Sequence, residues 1–228
     1  TGDDSLEQGC GLPVLVETAR MWRSLGHHDR YGAWRIDGVT GPDEYTAVVR
    51  DNVFTNLMAA ANLRAAANTC TRHAEAAHAM GVTTEETAAW RDAADSANIP
   101  YDTELGVHPQ CEGFTTLREW DFVANTVYPL LLHEPYVRLY PAQVVKQPDL
   151  VLAMQWQSHA FTAQQKARNV DYYERRTVRD SSLSACTQAV MCAEVGHLEL
   201  AHAYTKEAAM VDLRDLHANT RDGVHMAS

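Results

Sequence analysis

Apolar residues recur at a spacing of about 3.6 along most of the chain, which predicts α-helices. The first run covers residues 12–25, and Gly26 marks its end. Asp51–Asn52 and Thr83 are placed to cap two further helices, over residues 53–67 and up to about residue 95. Later helical runs lie near residues 119–132, 149–157, 162–173, 182–195 and 197–217. No run of four or more residues alternates as a strand does, so we expect an all-α fold.

Long polar loops containing Gly or Pro separate these helices. The main ones are His27–Tyr45, Asn98–Gly113, His133–Gln147 and Asp171–Asp180. They are long for connections in a plain helical bundle, and long loops on a rigid scaffold are where function concentrates. No internal repeat of fixed period is present, which argues against a helical repeat array. No linker divides the chain, so residues 1–228 are interpreted as a single domain.

Composition narrows the class of protein. The 228 residues are 46% hydrophobic, and 19 basic against 30 acidic side chains give a net charge of -11. An acidic surface repels phosphate backbones, which argues against a nucleic-acid partner. No stretch approaches the roughly 20 apolar residues of a membrane helix, and no signal-peptide pattern opens the chain. Five cysteines without a CxxC pair suit free buried thiols in a cytoplasmic protein.

The ends of the chain suggest a piece of a longer protein. It begins at Thr1 without a methionine and ends at Ser228 without a polar tail. We therefore expect an all-α catalytic-domain segment that is truncated at both ends.

The densest loop chemistry lies at residues 36–45, where two glycines and a proline surround adjacent carboxylates. Asp43 and Glu44 cannot face the same way, so we expect one to enter a site and the other the scaffold. A carboxylate held against Tyr45 and Trp34 would have a raised pKa and could serve as a general acid. Trp34, in a loop, is also a candidate platform for a sugar ring. The alternative is a solvated Pro-Asp-Glu turn.

Three later blocks carry donors for an anion or a sugar. Lys146 and Gln147 offer donors side by side, the alternative being a solvated loop with Asp149 as helix cap. Ser181 and Ser182 begin a helix, whose free N–H groups favour phosphate, although a doubled cap is the more common reason for such a pair. His225 follows a Gly turn, and a structural histidine is the alternative there.

Other motifs are missing from the sequence. His73 and His78 are spaced i,i+5, whereas two metal ligands on one helical face need i,i+4. The chain has no GxGxxG, no P-loop and no GxSxG motif. We therefore predict no metal and no organic cofactor.

Taken together, the loop blocks resemble glycoside hydrolase family 65 over essentially the whole chain. The blocks that carry the resemblance are residues 38–45 (GVTGPDEY), 52–56 (NVFTN), 146–147 (KQ), 180–184 (DSSLS) and 222–228 (DGVHMAS). The segment from Glu134 to Gln147 further resembles the actinobacterial branch. The resemblance implies an (α/α)6 barrel, of which this chain forms only the later part, so the segment alone is expected to be inactive.

Most members of that family are inverting phosphorylases, which cleave an α-glucosyl disaccharide with inorganic phosphate to give β-glucose 1-phosphate and glucose. The resemblance implies that Glu44 is the general acid and phosphate the nucleophile. Lys146 and Gln147 would bind the reacting glucose. The phosphate would be held by Ser181, Ser182, His225 and Ser228. Phosphate is thus a co-substrate, and the full-length protein is expected to be a homodimer.

Two other readings stay open at this stage. The first is an inverting α-glucoside hydrolase on the same fold, which needs a second carboxylate about 6.5–9.5 Å from the acid. Carboxylates that could serve as that base lie in loops at Glu112, Glu134, Glu174 and Asp180. The second is a helical scaffold without catalysis.

Three positions depart from the family pattern. Thr46 and Arg179 stand where many members have His, and Pro148 replaces an Ala after the Lys-Gln pair. The first two are reasons not to name the disaccharide.

Overall fold

Helices separated by long loops make up the computed structural model, which describes residues 3–125, 127–178 and 180–226. The α-helices in these residues are α1 (Asp4–Leu6), α2 (Leu12–Leu25), α3 (Val53–Arg72), α4 (Ala74–Ala79), α5 (Thr84–Asp95), α6 (Tyr136–Leu139), α7 (Asp149–Trp156), α8 (Ala163–Glu174), α9 (Ser182–Glu194) and α10 (Leu198–Met210). A π-helical stretch (Glu7–Gly11) joins α1 to α2, and short 3-10 turns lie at Phe114–Thr116, Leu130–Leu132, Ser158–Ala160 and Thr220–Asp222.

Two very short sheets join the loops. Strands β1 (Gly26–His28) and β2 (Trp34–Ile36) pair antiparallel, with Gly26 opposite Ile36. Strands β3 (Arg118–Glu119) and β4 (Ala142–Gln143) pair in parallel. With three and two residues, they are too short for alternation to reveal them in the sequence.

The first helical layer packs around α3, which contacts α2, α5 and α7. Asn52 caps α3 by accepting the N–H of Thr55, as the sequence predicts. Small buried side chains form one row of this helix and let its neighbours approach closely: Ala59, Ala60, Ala66 and Ala67. Leu63 lies in the same row and has no exposed surface, which is worth about 1.5–3 kcal/mol.

The second helical layer comprises α7 to α10, in which α9 packs against α7, α8 and α10. Thr162 opens α8 with a reciprocal capping box to Gln165, and Ser181 caps α9. Leu150 and Met154 of α7 are fully buried in this layer. The caps therefore fix where each loop leaves the scaffold. No helix in the described part of the chain is both long and apolar enough to cross a membrane.

Two predicted helices differ in the structure. No α-helix forms in the described residues of the range 119–132, because the Asp121 carboxylate accepts the N–H groups of Val123 and Ala124 and closes a turn there. The apolar side chains of Trp120 and Leu130 pack with Tyr45. The predicted helix at 197–217 ends at Met210 and continues as turns.

Candidate active site

Asp43 and Glu44, in the loop between β2 and α3, lie in opposite environments. Asp43 has no exposed surface, whereas 58% of the Glu44 side chain is exposed. This confirms the prediction that one carboxylate enters the scaffold and the other does not.

The buried Asp43 carboxylate is saturated with hydrogen-bond donors. It accepts bonds from Tyr45 N (3.2 Å), Lys146 N (2.8 Å), Thr46 Oγ1 (2.7 Å) and Gln110 Nε2 (2.8 Å). These donors come from three separate loops. Asp43 therefore ties its own loop to the segments around residues 110 and 146.

A second buried carboxylate, Asp149 at the start of α7, completes this tie. Its Oδ1 accepts the N–H of Asp43 at 2.5 Å, and its Oδ2 accepts the amide of Asn52 at 2.7 Å. Asp149 is therefore not the cap of α7, which begins after Pro148. A Cβ at Gly41 would lie 2.1 Å from Asp149 Oδ2, so only glycine lets the backbone approach this closely.

Burial perturbs both carboxyl groups. It raises the pKa of Asp43, and burial together with the charge of Asp43 raises the pKa of Asp149 well above its usual range. The donors around Asp43 favour its ionised form. Asp149, whose pKa is raised further above its usual range, is therefore the member of the pair that takes up a proton more readily.

The exposed Glu44 carboxylate forms an ion pair with the ammonium of Lys146. The next residue, Gln147, is fixed at both ends of its amide: its Nε2 donates to Pro42 O and its Oε1 accepts the Ser181 hydroxyl, each at 2.5 Å. Glu44, Lys146, Gln147 and Ser181, four of the predicted site residues, thus form one connected set, hereafter the Glu44 cluster.

Ser182 follows directly as the first residue of α9.

Hydrogen bonds also join the sequence neighbours of this cluster, Tyr45 and Asp180. The Tyr45 hydroxyl donates to Asp180 Oδ2 at 2.6 Å, and Leu130 N donates to the same oxygen at 2.8 Å. Leu131 N in turn donates to the Tyr45 hydroxyl oxygen at 3.0 Å. The sequence gives no signal for these contacts, because Tyr45 and Asp180 are 135 residues apart.

Trp34 does not fit its predicted role as a sugar platform. It lies in β2 with no exposed surface and packs in the core with α2, α3 and α5, so its ring offers no face to a sugar. Its indole also occupies the space where Gly26 lacks a side chain, since a Cβ there would lie 2.2 Å from the ring. Trp34 is a core residue, and the prediction that its ring forms a platform for a sugar is wrong.

In the described residues, His225 forms its hydrogen bonds with Asp212 rather than with a member of the Glu44 cluster. Its Nδ1 lies 2.6 Å from Asp212 Oδ1, and its backbone N–H donates to the same carboxylate at 2.7 Å. The hydrogen bond from His225 lowers the pKa of Asp212. Ser228 and Arg179 lie outside the described residues.

Each of the four carboxylates predicted as a possible hydrolytic base has a partner, and Glu174 lies at the end of α8 rather than in a loop. Asp180 is bound as described above, and Glu134 pairs with Arg138 at 2.7 Å. Glu112 lies 3.5 Å from both Arg35 and Arg50. Glu174 accepts bonds from Gln188 and Tyr204.

A cavity of about 360 Å³ opens beside Gln147, between α7 and α9. Its walls are mainly apolar and include Leu152, Trp156 and Leu183. No group of three or more His, Cys, Asp or Glu side chains in the described ranges is arranged to hold a metal ion.

Comparison with known proteins gives a match over the full length. The model of the glycosyl hydrolase family 65 central catalytic domain matches residues 1–228. A glycosyl hydrolase of Mycobacterium tuberculosis, itself named as uncharacterised, is 83% identical over 228 residues, which are 100% of this chain and 29% of that protein. The α,α-trehalose phosphorylase of Geobacillus stearothermophilus is 41% identical, over 100% of this chain and 31% of that protein.

A solved structure shows the same fold. It is provisionally named a kojibiose phosphorylase, from the human microbiome, and superposes with a TM-score of 0.90 at 28% identity, over 99% of this chain and 34% of that chain. The prediction of an all-α fold that forms part of an (α/α)6 barrel is confirmed. The chain spans under a third of the length of the curated relatives named above.

Proposed function

The chain belongs to glycosyl hydrolase family 65, and we propose that the whole protein cleaves an α-linked glucosyl disaccharide with inorganic phosphate. The products are β-glucose 1-phosphate and glucose. The observation that carries the proposal is the Glu44 cluster. It brings together the Glu44 carboxyl group, the hydrogen-bond donors of Lys146 and Gln147, and the Ser181 hydroxyl at the start of α9.

Glu44 is the general acid in this proposal. Its exposed carboxyl protonates the glycosidic oxygen, while phosphate attacks the anomeric carbon from the opposite face. The bond from carbon to the glycosidic oxygen breaks, a bond to a phosphate oxygen forms, and the configuration inverts. Glucose leaves with the proton, so no catalytic base is needed.

Lys146 and Gln147 bind the reacting glucose. Lys146, which contacts Glu44 in the structure, turns to a sugar hydroxyl when the disaccharide enters. The Gln147 amide is already oriented by Pro42 and Ser181, so its placement costs little entropy on binding.

Ser181, Ser182 and His225 bind phosphate, with Ser228 beside them. Ser181 and Ser182 lie where the first N–H groups and the dipole of α9 favour an anion. Asp212 holds Nδ1 of His225, which fixes the ring and directs Nε2 to a ligand.

Phosphorolysis is favoured over hydrolysis because Ser181 and Ser182 stand at the start of α9, where the first N–H groups and the helix dipole suit a phosphate. The 41% identity with a trehalose phosphorylase supports the same choice.

The test uses the full-length protein with trehalose, maltose, kojibiose and nigerose, each with and without phosphate. We expect β-glucose 1-phosphate to form from one of them only when phosphate is present. Trehalose is the first substrate to try, since a trehalose phosphorylase is 41% identical. Release of glucose at the same rate without phosphate would contradict the proposal and indicate a hydrolase.

A further inference from the structure

The hydrogen bond from Tyr45 to Asp180 joins the neighbours of two functional groups. Tyr45 directly follows Glu44, and Asp180 directly precedes Ser181. The two side chains meet at 2.6 Å although they come from loops 135 residues apart. A displacement of either side chain therefore changes the distance between the acid and the serine pair.

A third segment closes this contact into a small network. Asp180 Oδ2 accepts the N–H of Leu130, and the Tyr45 hydroxyl oxygen accepts the N–H of Leu131. Both backbone groups belong to one 3-10 turn. Three loops are thus held at a single point.

Tyr45 is suited to a fixed role rather than a chemical one. It has no exposed surface and packs with Trp120, Leu130 and Leu139. Burial, with the Asp180 carboxylate next, raises the pKa of Tyr45, so its hydroxyl stays a donor at all working pH values.

We propose that Tyr45 and Asp180 are positioning residues that set the separation between Glu44 and the phosphate-binding serines Ser181 and Ser182. The proposal rests on the phosphorylase function given above. An in-line displacement needs the proton donor and the nucleophile on opposite sides of one carbon, and a misplacement of about 1 Å can cost about 100-fold in rate.

Substitutions of Asp180 can distinguish a positioning role of its side chain from a role of its negative charge. Its two donors among the described residues, Tyr45 and Leu130, bind the same oxygen, Oδ2. An asparagine can place its carbonyl oxygen there and keep both bonds without the charge. Asp180→Asn therefore preserves positioning and removes any basic function, whereas Asp180→Ala removes both.

The experiment compares Tyr45→Phe, Asp180→Asn and Asp180→Ala in the full-length protein. Tyr172→Phe is the matched control, because Tyr172 also donates its hydroxyl, to Gln143 at 2.6 Å, away from the Glu44 cluster. The rates are measured as functions of phosphate and of disaccharide. We expect Tyr45→Phe and Asp180→Ala to lower kcat about tenfold and to raise the KM for phosphate, with a smaller change in the KM for the disaccharide.

Asp180→Asn and Tyr172→Phe are expected to stay within about threefold of the wild type. If Asp180→Asn loses as much activity as Asp180→Ala, the carboxylate acts through its charge and the proposal is wrong. The proposal is also wrong if the only effect of Tyr45→Phe is a fall in kcat that matches the loss of folded protein.

Amide hydrogen exchange at residues 180–184 supplies a readout that needs no reaction. Tyr45→Phe should speed exchange there and Tyr172→Phe should not. If Tyr45→Phe speeds exchange but the wild-type protein shows no phosphorolysis, the structural link between Tyr45 and Asp180 stands and only the proposed function is rejected. Unchanged exchange in Tyr45→Phe would reject the link itself.

Discussion

Two buried carboxylates, Asp43 and Asp149, support the loop that carries Glu44, and they differ in their hydrogen bonding. Among the described residues, Asp43 accepts hydrogen bonds from four residues and Asp149 from two, and the pKa of Asp149 is raised well above its usual range. We expect Asp43→Asn to cost about 3 kcal/mol, because an amide would point N–H groups at donors. Asp149→Asn should cost about 1–2 kcal/mol, since the raised pKa of Asp149 favours its neutral form, which an amide resembles.

The pH dependence of these two variants checks the assignment. The pKa of Asp149 is raised by folding, so the wild type loses stability as the pH rises from about 4 through that raised value. Asparagine cannot ionise, so the cost of Asp149→Asn should shrink between pH 5 and pH 8. Thermal unfolding midpoints at both pH values measure this, and a cost that grows with pH would contradict it.

The sequence predicted most of the exposed and partly buried residues of the site but not the buried contacts of Asp43 and Asp149 that support it. Glu44, Lys146, Gln147 and Ser181 were all predicted, because their loops carry recognisable blocks. Trp34 was misplaced, since a three-residue strand leaves no periodic signal that a tryptophan is in the core.

At the scale of elements, the loop of residues 36–45, which carries Glu44, packs at Gly41 directly against Asp149 of α7 and Asn52, the cap of α3. Gly41→Ala would force a Cβ against Asp149 Oδ2 and both side-chain polar atoms of Asn52. We expect a loss of about 1–3 kcal/mol of unfolding free energy and a large loss of activity.

Gly9→Ala is the matched control for this prediction. Gly9 lies in the π-helical stretch, and a Cβ there meets nothing within 4 Å. The change should be neutral or slightly stabilising, since alanine favours a helix more than glycine does. Thermal unfolding of both variants is the measurement, and equal losses would rule out the steric cause.

The helices themselves were largely predictable, and the loops were not. Periodicity and caps located α2, α3, α5 and α7 to α9 to within a few residues. The same apolar spacing gave a false helix at residues 119–132, because it arises there from a loop whose side chains are buried around Tyr45. Local patterns cannot distinguish these two uses of apolar residues, since the partner is remote in sequence.

At the scale of the whole molecule, apolar burial divides the cysteines into two classes. Cys70, Cys111 and Cys192 are buried, whereas Cys10 and Cys186 are exposed. The prediction that the thiols are free is confirmed for all five cysteines. The prediction that they are buried is right for Cys70, Cys111 and Cys192 and wrong for Cys10 and Cys186. Burial raises the pKa of Cys111 to about 12, so its thiol stays protonated and unreactive at neutral pH.

We therefore expect alkylation of the native protein to label Cys10 quickly and Cys111 only after unfolding. Peptide mapping by mass spectrometry after timed iodoacetamide treatment distinguishes the two sites. Equal labelling of both in the native state would mean that the core around α7 and α8 opens readily.

The central claim is that Glu44 donates the proton to the leaving sugar, and one comparison tests it most directly. The Glu44→Gln variant of the full-length protein is assayed with phosphate on the cleaved disaccharide and on α-glucosyl fluoride, whose fluoride leaves without a proton from an acid. Glu104→Gln, an exposed loop carboxylate, is the control. We predict a loss of about 100- to 10,000-fold on the disaccharide and less than about tenfold on the fluoride. An equal loss on both substrates, or no loss on either, would contradict the account.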